Sequence, residues 1–247
     1  MIHFSIALLA GLLVGTINGM AGGASIISYP ILLALGVPPV NAAVTNALGV
    51  SSANFFAIRS GPHTFRKLFN TYKTLILLSV VFAIIGAFLL LTMPPKTFEK
   101  VVPFLLFGAT LMMLLPKKPR HPHRNQLAER IGIGASGLYC GYFGPGQGVM
   151  VVATLARNRK EDAPTLNAAK NMIVGVTSMA SNFIYIFSGR VYWSLAIALL
   201  IGSSFGGTLG GKWASRMSPI FYKALVVTVG FGASMWLFMR YFGLGVG

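Results

Sequence analysis

The chain contains the sequence Gly15-Thr-Ile-Asn-Gly19-Met-Ala-Gly22-Gly23-Ala-Ser-Ile-Ile-Ser-Tyr-Pro30. Its second half repeats the glycine pattern as Gly137-Leu-Tyr-Cys-Gly141-Tyr-Phe-Gly144-Pro-Gly146-Gln-Gly148. Glycine permits backbone conformations that other residues avoid, and it allows close approach of a neighbour. For Gly15 and Gly137, a helix-packing face and a chain break are both open. The denser clusters at Gly22-Gly23 and Gly144-Pro145-Gly146 favour broken membrane segments that face each other across a solute site.

Composition indicates an integral membrane protein. The chain has 247 residues, of which 55% are hydrophobic and 10% are charged, whereas soluble domains average about 25% charged residues. Its mean hydropathy is +0.72. The net charge of +16 comes from lysines and arginines in short loops between apolar runs, which is typical of topology signals rather than of nucleic-acid binding. We therefore expect membrane lipid, and no nucleic acid, as a partner.

The repeat extends beyond the glycines and divides the chain. Asn41-Ala-Ala-Val-Thr-Asn46 matches Asn167-Ala-Ala-Lys-Asn171. Each half holds five apolar segments: two short ones in a glycine hairpin and three long ones after it. We predict an all-α polytopic membrane protein, with a first repeat over 1–115, a basic cytoplasmic linker over 116–130 and a second repeat over 131–247. Because five is odd, the second repeat should be inverted relative to the first.

Charge counting supports the inverted arrangement. If the basic loop 59–73 is cytoplasmic, the positive-inside rule also places 116–130 and 157–160 inside, and both termini outside. The second segment of the first hairpin, 24–35, is shorter than the roughly 20 residues that a spanning helix needs. We leave open whether the hairpins cross the membrane or re-enter, and we favour partial insertion or broken helices.

The apolar segments carry no group suited to catalysis. The four acidic residues and four histidines lie in loops, at helix ends or near a terminus, so no general base or metal ligand lies within a segment. We predict no enzyme activity, no catalytic residue, no metal site and no cofactor. A membrane enzyme or a non-transporting sensor remains a minor alternative.

Amides, hydroxyls and one cation do occur within the apolar segments. Asn46 and Asn54 are eight residues apart on one predicted helix, and Asn171 and Ser178 are seven apart on its repeat mate, which keeps each pair roughly on one helix face. Such residues can also hydrogen-bond between helices without touching a solute. Helix starts after the glycine breaks would turn backbone N–H groups toward the same place, where anions bind.

Lys170 is the one cation inside a predicted membrane segment. An ionisable group at that depth is a functional-site hypothesis, and an anionic substrate is its natural partner. The alternative is that its long side chain snorkels to the cytoplasmic face. We predict a substrate site formed by the following residues: Gly22, Gly23, Thr45, Asn46, Gly144, Gly146, Gln147, Lys170, Asn171 and Ser178.

The glycine hairpin followed by Pro30, the Ala-Ala-Val-Thr45 helix start and their second-half copies resemble the TauE/SafE family, the sulfite exporters. The resemblance covers nearly the whole chain. It implies a multi-pass inner-membrane transporter of small sulfur-containing anions such as sulfite, thiosulfate or organosulfonates, often in the export direction. Family members commonly have a third glycine in the first cluster and a Thr-Ser pair at the helix start, where this chain has Ala24 and Thr45-Asn46.

Coupling follows from the same residues. Without an intramembrane acid, a proton or sodium site would have to be built from carbonyls and amides, so we hypothesise export driven by membrane potential and concentration. A cation-coupled importer of the same solutes is the alternative. A homodimer is one option for the assembly.

Overall fold

The computed structural model describes residues 1–20, 23–61, 63–114, 125–213 and 219–243. Within those residues the chain forms ten α-helices and no strand, which confirms the predicted all-α class. The helices are α1 Ile2–Met20, α2 Ser25–Ala34, α3 Pro39–Arg59, α4 Phe65–Thr92, α5 Pro95–Leu114, α6 Gln126–Tyr142, α7 Gln147–Asn158, α8 Ala163–Ile186, α9 Trp193–Trp213 and α10 Pro219–Phe242.

Several helices begin earlier than their apolar runs. The run at Tyr72 indicated the start of α4, but the helix begins at Phe65, so Arg66, Lys67 and Lys73 are helical rather than part of a loop. Long basic side chains can reach water from the end of a membrane helix, and hydropathy alone therefore places the boundary too late. Likewise, α6 begins at Gln126 inside the predicted linker, and residues 116–124 lie outside the described part of the chain.

Local chemistry explains several helix starts. Pro39 occupies the first turn of α3, where its missing N–H costs no hydrogen bond. The Asp162 side chain accepts a hydrogen bond from the backbone N–H of Thr165 at 3.1 Å and caps α8. Asn125 caps α6 in the same way through Ala128, at 3.0 Å. Each cap satisfies one backbone donor that the first helical turn leaves without a partner.

Helix lengths separate two classes of element. Among the described residues, five helices are long and apolar enough to span a bilayer, namely α1, α4, α5, α9 and the Lys223–Phe242 part of α10. In contrast, α2 and α7 have 10 and 12 residues, or roughly 15–18 Å at the α-helical rise, about half of the hydrocarbon core. Neither helix is long enough to cross a bilayer alone, so partial insertion of the hairpins stays the favoured prediction.

The helices of the two halves make equivalent contacts with each other. The first helix of each half packs on the fourth helix of the other, so α1 contacts α9 and α6 contacts α4. The third helices, α3 and α8, pack on each other, and so do the fifth helices, α5 and α10. This pairing is expected of two related repeats, while the inversion of one repeat relative to the membrane stays a prediction.

Glycines allow α1 to approach α9, and α6 to approach α4, until the backbones are in contact. A Cβ atom built on Gly15 would lie 2.7 Å from the Cα of Ser203 on α9, and one built on Gly141 would lie 2.7 Å from the backbone nitrogen of Ala87 on α4. Gly137 meets the backbone of Ser79 in the same way. Of the two options for Gly15 and Gly137, the structure therefore has the helix-packing face.

The chain breaks lie at the denser glycine clusters. Gly23 has φ of +89° just before α2, and Gly146 has φ of +93° just before α7. This left-handed region strongly favours glycine, so both positions interrupt the hairpin without strain. Gly22 lies outside the described residues.

Candidate functional site

A small cavity lies between the two chain breaks, and we call it the break cavity. Its walls come from the end of α1, the starts of α2 and α7, the end of α6, and the facing helices α3 and α8. The cavity volume is about 40 Å³, which suits a solute of a few heavy atoms. The lining residues are Asn18, Gly23, Ser25, Asn46, Ala47, Val50, Ser51, Asn54, Cys140, Gly144, Gln147, Gly148, Lys170, Val174 and Ser178.

Lys170 brings a positive charge to this cavity. It lies two turns into α8 and is 1% exposed, and its Nζ donates a hydrogen bond to the backbone oxygen of Asn18 at 2.5 Å. The Asn18 side chain in turn accepts a hydrogen bond from the backbone N–H of Ala24 at 3.0 Å. The ammonium therefore points inward to the first chain break, and the snorkelling geometry is not adopted.

Gln147 brings a hydrogen-bond donor. It is the first residue of α7 and 2% exposed, and its Nε2 has no hydrogen-bond partner among the described residues. A buried amide nitrogen without a partner is costly. An acceptor atom of a solute in the cavity would satisfy it.

The facing helices α3 and α8 supply the remaining polar groups. On α3, Asn46 accepts a hydrogen bond from the Ser28 hydroxyl at 2.5 Å, and Asn54 lines the cavity two turns further along. On α8, the Ser178 hydroxyl lies 3.7 Å from the thiol sulfur of Cys140. Both members of the predicted α3 pair, Asn46 and Asn54, therefore line the break cavity, whereas of the predicted α8 pair only Ser178 does.

Two helix starts face the cavity as well. Ser25 opens α2, and Gln147 and Gly148 open α7. The first N–H groups of an α-helix lack intrahelical partners and carry partial positive charge. The ends of α1 and α6, which carry the opposite partial charge, reach the cavity as well, so the one full charge among its described lining residues is that of Lys170.

Six of the ten predicted site residues line the break cavity, namely Gly23, Asn46, Gly144, Gln147, Lys170 and Ser178. Three of the other four do not. Gly146 packs behind the break, where an added Cβ would lie 2.6 Å from the Cβ of Ala109. Thr45 accepts a hydrogen bond from the backbone N–H of Tyr192 at 3.0 Å, Asn171 lines a neighbouring cavity, and Gly22 lies outside the described residues.

Some lining residues were not in the predicted set. Asn18, Ser51 and Asn54 were recognisable as polar residues in apolar segments. Ser25 and Cys140 carried no such signal, because a serine and a cysteine next to glycines are ordinary in membrane helices. Only the meeting of the two chain breaks places them at the cavity.

Acidic side chains engage partners away from the break cavity. Glu129 on α6 is 1% exposed and pairs with Arg159 at the end of α7. The Arg159 guanidinium also lies 3.6 Å from Glu161 and 4.7 Å from the ring centre of Tyr72 on α4. This cluster holds the base of the second hairpin against α4.

The described residues form ten packed helices, five of bilayer-spanning length, around a small polar cavity at two broken hairpins, which is the architecture of a polytopic membrane transporter. The chain belongs to the sulfite exporter TauE/SafE family, because residues 7–237 match the family model. It is a membrane transporter, not an enzyme.

Curated relatives carry matching descriptions. A probable membrane transporter protein of Haemophilus influenzae is 26% identical over 230 residues, covering 90% of this chain and 89% of the relative. The probable membrane transporter protein YfcA of Escherichia coli is 24% identical over 237 residues, covering 92% and 84%. A probable membrane transporter protein of Xylella fastidiosa is 29% identical over 232 residues, covering 85% and 84%.

Proposed function

We propose that this protein carries small sulfur-containing anions, such as sulfite, thiosulfate or organosulfonates, across the inner membrane in the export direction. The observation that carries the proposal is the break cavity, in which the buried Lys170 ammonium and the Gln147 amide without a partner line the same space. The family name supplies the sulfur chemistry.

The cavity suits an oxyanion in charge, size and directionality. Sulfite oxygens accept hydrogen bonds from several directions, and donors reach the cavity from the start of α7, from the Ser178 hydroxyl and from the Lys170 ammonium. Hydrogen bonds to a charged partner contribute about 1.5–3 kcal/mol each, net of the exchange with water, so a few of them would hold a small anion in place. The bound anion would lie at the meeting point of the two chain breaks.

The direction follows from electrostatics. An anion that leaves a negative cell interior gains about 2.3 kcal/mol per charge per 100 mV. Membrane potential alone therefore favours export of an anion through a site without an acidic side chain among its lining residues.

The test is uptake of labelled sulfite into proteoliposomes that contain the purified protein, with the membrane potential clamped at either sign. We expect flux that follows the potential, lost in Lys170→Ala and retained in the control Lys212→Ala, whose side chain is exposed at the end of α9. Absence of flux at either sign for sulfite, thiosulfate and an organosulfonate would overturn the proposed substrate class. Equal flux in Lys170→Ala and the native protein would remove Lys170 from the site.

A further inference from the structure

A second cavity adjoins the break cavity, and we call it the amide cavity. Its volume is about 60 Å³. It is lined by Gly19, Ala57, Ile58, Gly61, His63, Pro164, Asn167, Ala168, Asn171 and Gly211. Consecutive residues line the two cavities, Asn18 and Gly19 on α1 and Lys170 and Asn171 on α8. The two sites are therefore neighbours across one layer of side chains.

Two buried amide oxygens at this cavity lack partners. The Oδ1 atoms of Asn167 and Asn171 make no hydrogen bond with the described residues, and Asn171 is 2% exposed. The Asn167 Nδ2 donates to the backbone oxygen of Gly19 at 2.7 Å, which fixes the amide so that the oxygen is the group left over. Because the two asparagines are four residues apart on α8, their side chains lie on one helix face.

Helix ends add negative potential. Residues of the last turns of α1, α3 and α9 reach the cavity, as Gly19, Ala57, Ile58 and Gly211. The last carbonyl groups of a helix lack intrahelical partners and carry partial negative charge. Three such ends face a single helix start, that of α8. Arg59 and Lys212, at the ends of α3 and α9, are exposed, and neither lines the cavity wall.

We propose that the amide cavity binds a monovalent metal cation of the Na⁺ or K⁺ type. Such hard ions take neutral oxygen ligands, and half-helix C-terminal ends with unwound carbonyls serve this purpose in other transporters. A cation there and an anion in the break cavity attract each other, so each should raise the affinity for the other. This linkage rests on the proposed anion function, whereas cation binding does not.

The test is thermal unfolding of the purified full-length protein in sodium, potassium or choline chloride at equal ionic strength, without any sulfur anion. We expect Na⁺ or K⁺ to raise the melting temperature above its value in choline. Asn171→Asp places a carboxylate among the neutral oxygens and should tighten cation binding by about tenfold or more. Asn171→Leu should abolish the cation-specific shift.

Asn182 provides the matched control. It is a buried asparagine on the same helix, its Oδ1 also lacks a partner, and it does not line the amide cavity. Asn182→Asp should therefore leave the cation response at its native size. If the Asn171 variants do not fold, Asn167→Asp takes their place with the same expected gain.

Equal melting in the three salts, for both the native protein and Asn171→Asp, would overturn the cation site. An equal gain in Asn182→Asp would also overturn it, because the effect would then be nonspecific. Failure of the anion proposal is distinguishable. A cation-specific shift without sulfite flux refutes the proposed substrate only, and sulfite flux without a cation effect refutes this inference only.

Discussion

The charge at the break cavity comes from one half of the molecule only. Lys170, Val174 and Ser178 line the cavity on α8 with the same spacing as Asn46, Val50 and Asn54 on α3, so the first half has an asparagine where the second has Lys170. The two halves share a backbone plan, but this position differs between them. The site is therefore asymmetric at the one residue that would bear most of the electrostatics.

Removal of the Gln147 amide tests the donor role proposed above. We expect Gln147→Leu to weaken sulfite binding by roughly tenfold or more, since a hydrogen bond to a charged group is lost. Gln147→Glu should abolish binding because a carboxylate repels the anion. Sulfite titration of the purified variants measures both effects.

Gln126→Leu is the matched control, because this glutamine is exposed at the start of α6. It should bind sulfite as the native protein does. Native affinity in Gln147→Leu would show that the amide serves packing and not the solute.

At the residue level, the sequence pointed to cavity-lining positions where a polar side chain stands out, and it could not do so where helix rotation decides. Lys170 and Gln147 are conspicuous in apolar segments, and both line the cavity. Asn171 follows Lys170 directly, and consecutive residues on an α-helix point about 100° apart. In the structure Lys170 lines the break cavity and Asn171 the neighbouring one, while Asn46 lines the break cavity and Thr45 hydrogen-bonds with Tyr192. Spacing alone does not reveal which member of each pair faces inward.

At the scale of elements, glycines line the contact between α1 and α9 and the contact between α6 and α4. They determine how closely the helices of each pair approach each other. We expect Gly141→Ala to destabilise the protein by about 2 kcal/mol or more, because its methyl group would collide with the α4 backbone at Ala83 and Ala87. Backbone cannot rotate away as a side chain can. Thermal unfolding in detergent measures the change.

Gly108 on α5 is the control for that substitution. A Cβ atom added there meets nothing within 4 Å, and alanine favours helix by up to about 1 kcal/mol over glycine. Gly108→Ala should therefore be neutral or slightly stabilising. Equal destabilisation by both substitutions would contradict the role of close backbone contact at Gly141.

The hairpins show what a glycine pattern can and cannot reveal. The dense clusters predicted the chain breaks, and positive φ at Gly23, Gly144 and Gly146 agrees with that prediction. The sparser glycines at Gly15 and Gly137 were ambiguous, since the same spacing serves a break and a packing face. Only the partner helix, far away in sequence, distinguishes the two.

At the scale of the whole molecule, the inverted arrangement predicts the side of each basic residue. The single substitutions Lys67→Cys and Lys160→Cys should react with an impermeant maleimide only from the cytoplasmic side. Lys96→Cys and Arg190→Cys should react only from the outside. Cys140, the single native cysteine and buried, is replaced by serine as background. Labelling of intact cells and of inverted vesicles measures the sides.

The same labelling has a built-in comparison between the halves. Lys67 follows the third helix of the first half and Lys160 precedes the third helix of the second, and both should appear inside. Reaction of these two positions from opposite sides would contradict the inverted arrangement. It would leave the helix packing intact.

The cross-pairing of α1 with α9 also has a consequence for synthesis. The ribosome makes α1 long before α9, which begins at Trp193, so α1 waits in lipid until the helices between them have followed. Its glycine edge stays uncovered throughout that interval. A chain that stops before α9 therefore leaves α1 without its partner, which makes truncated products targets for membrane quality control rather than stable half-transporters.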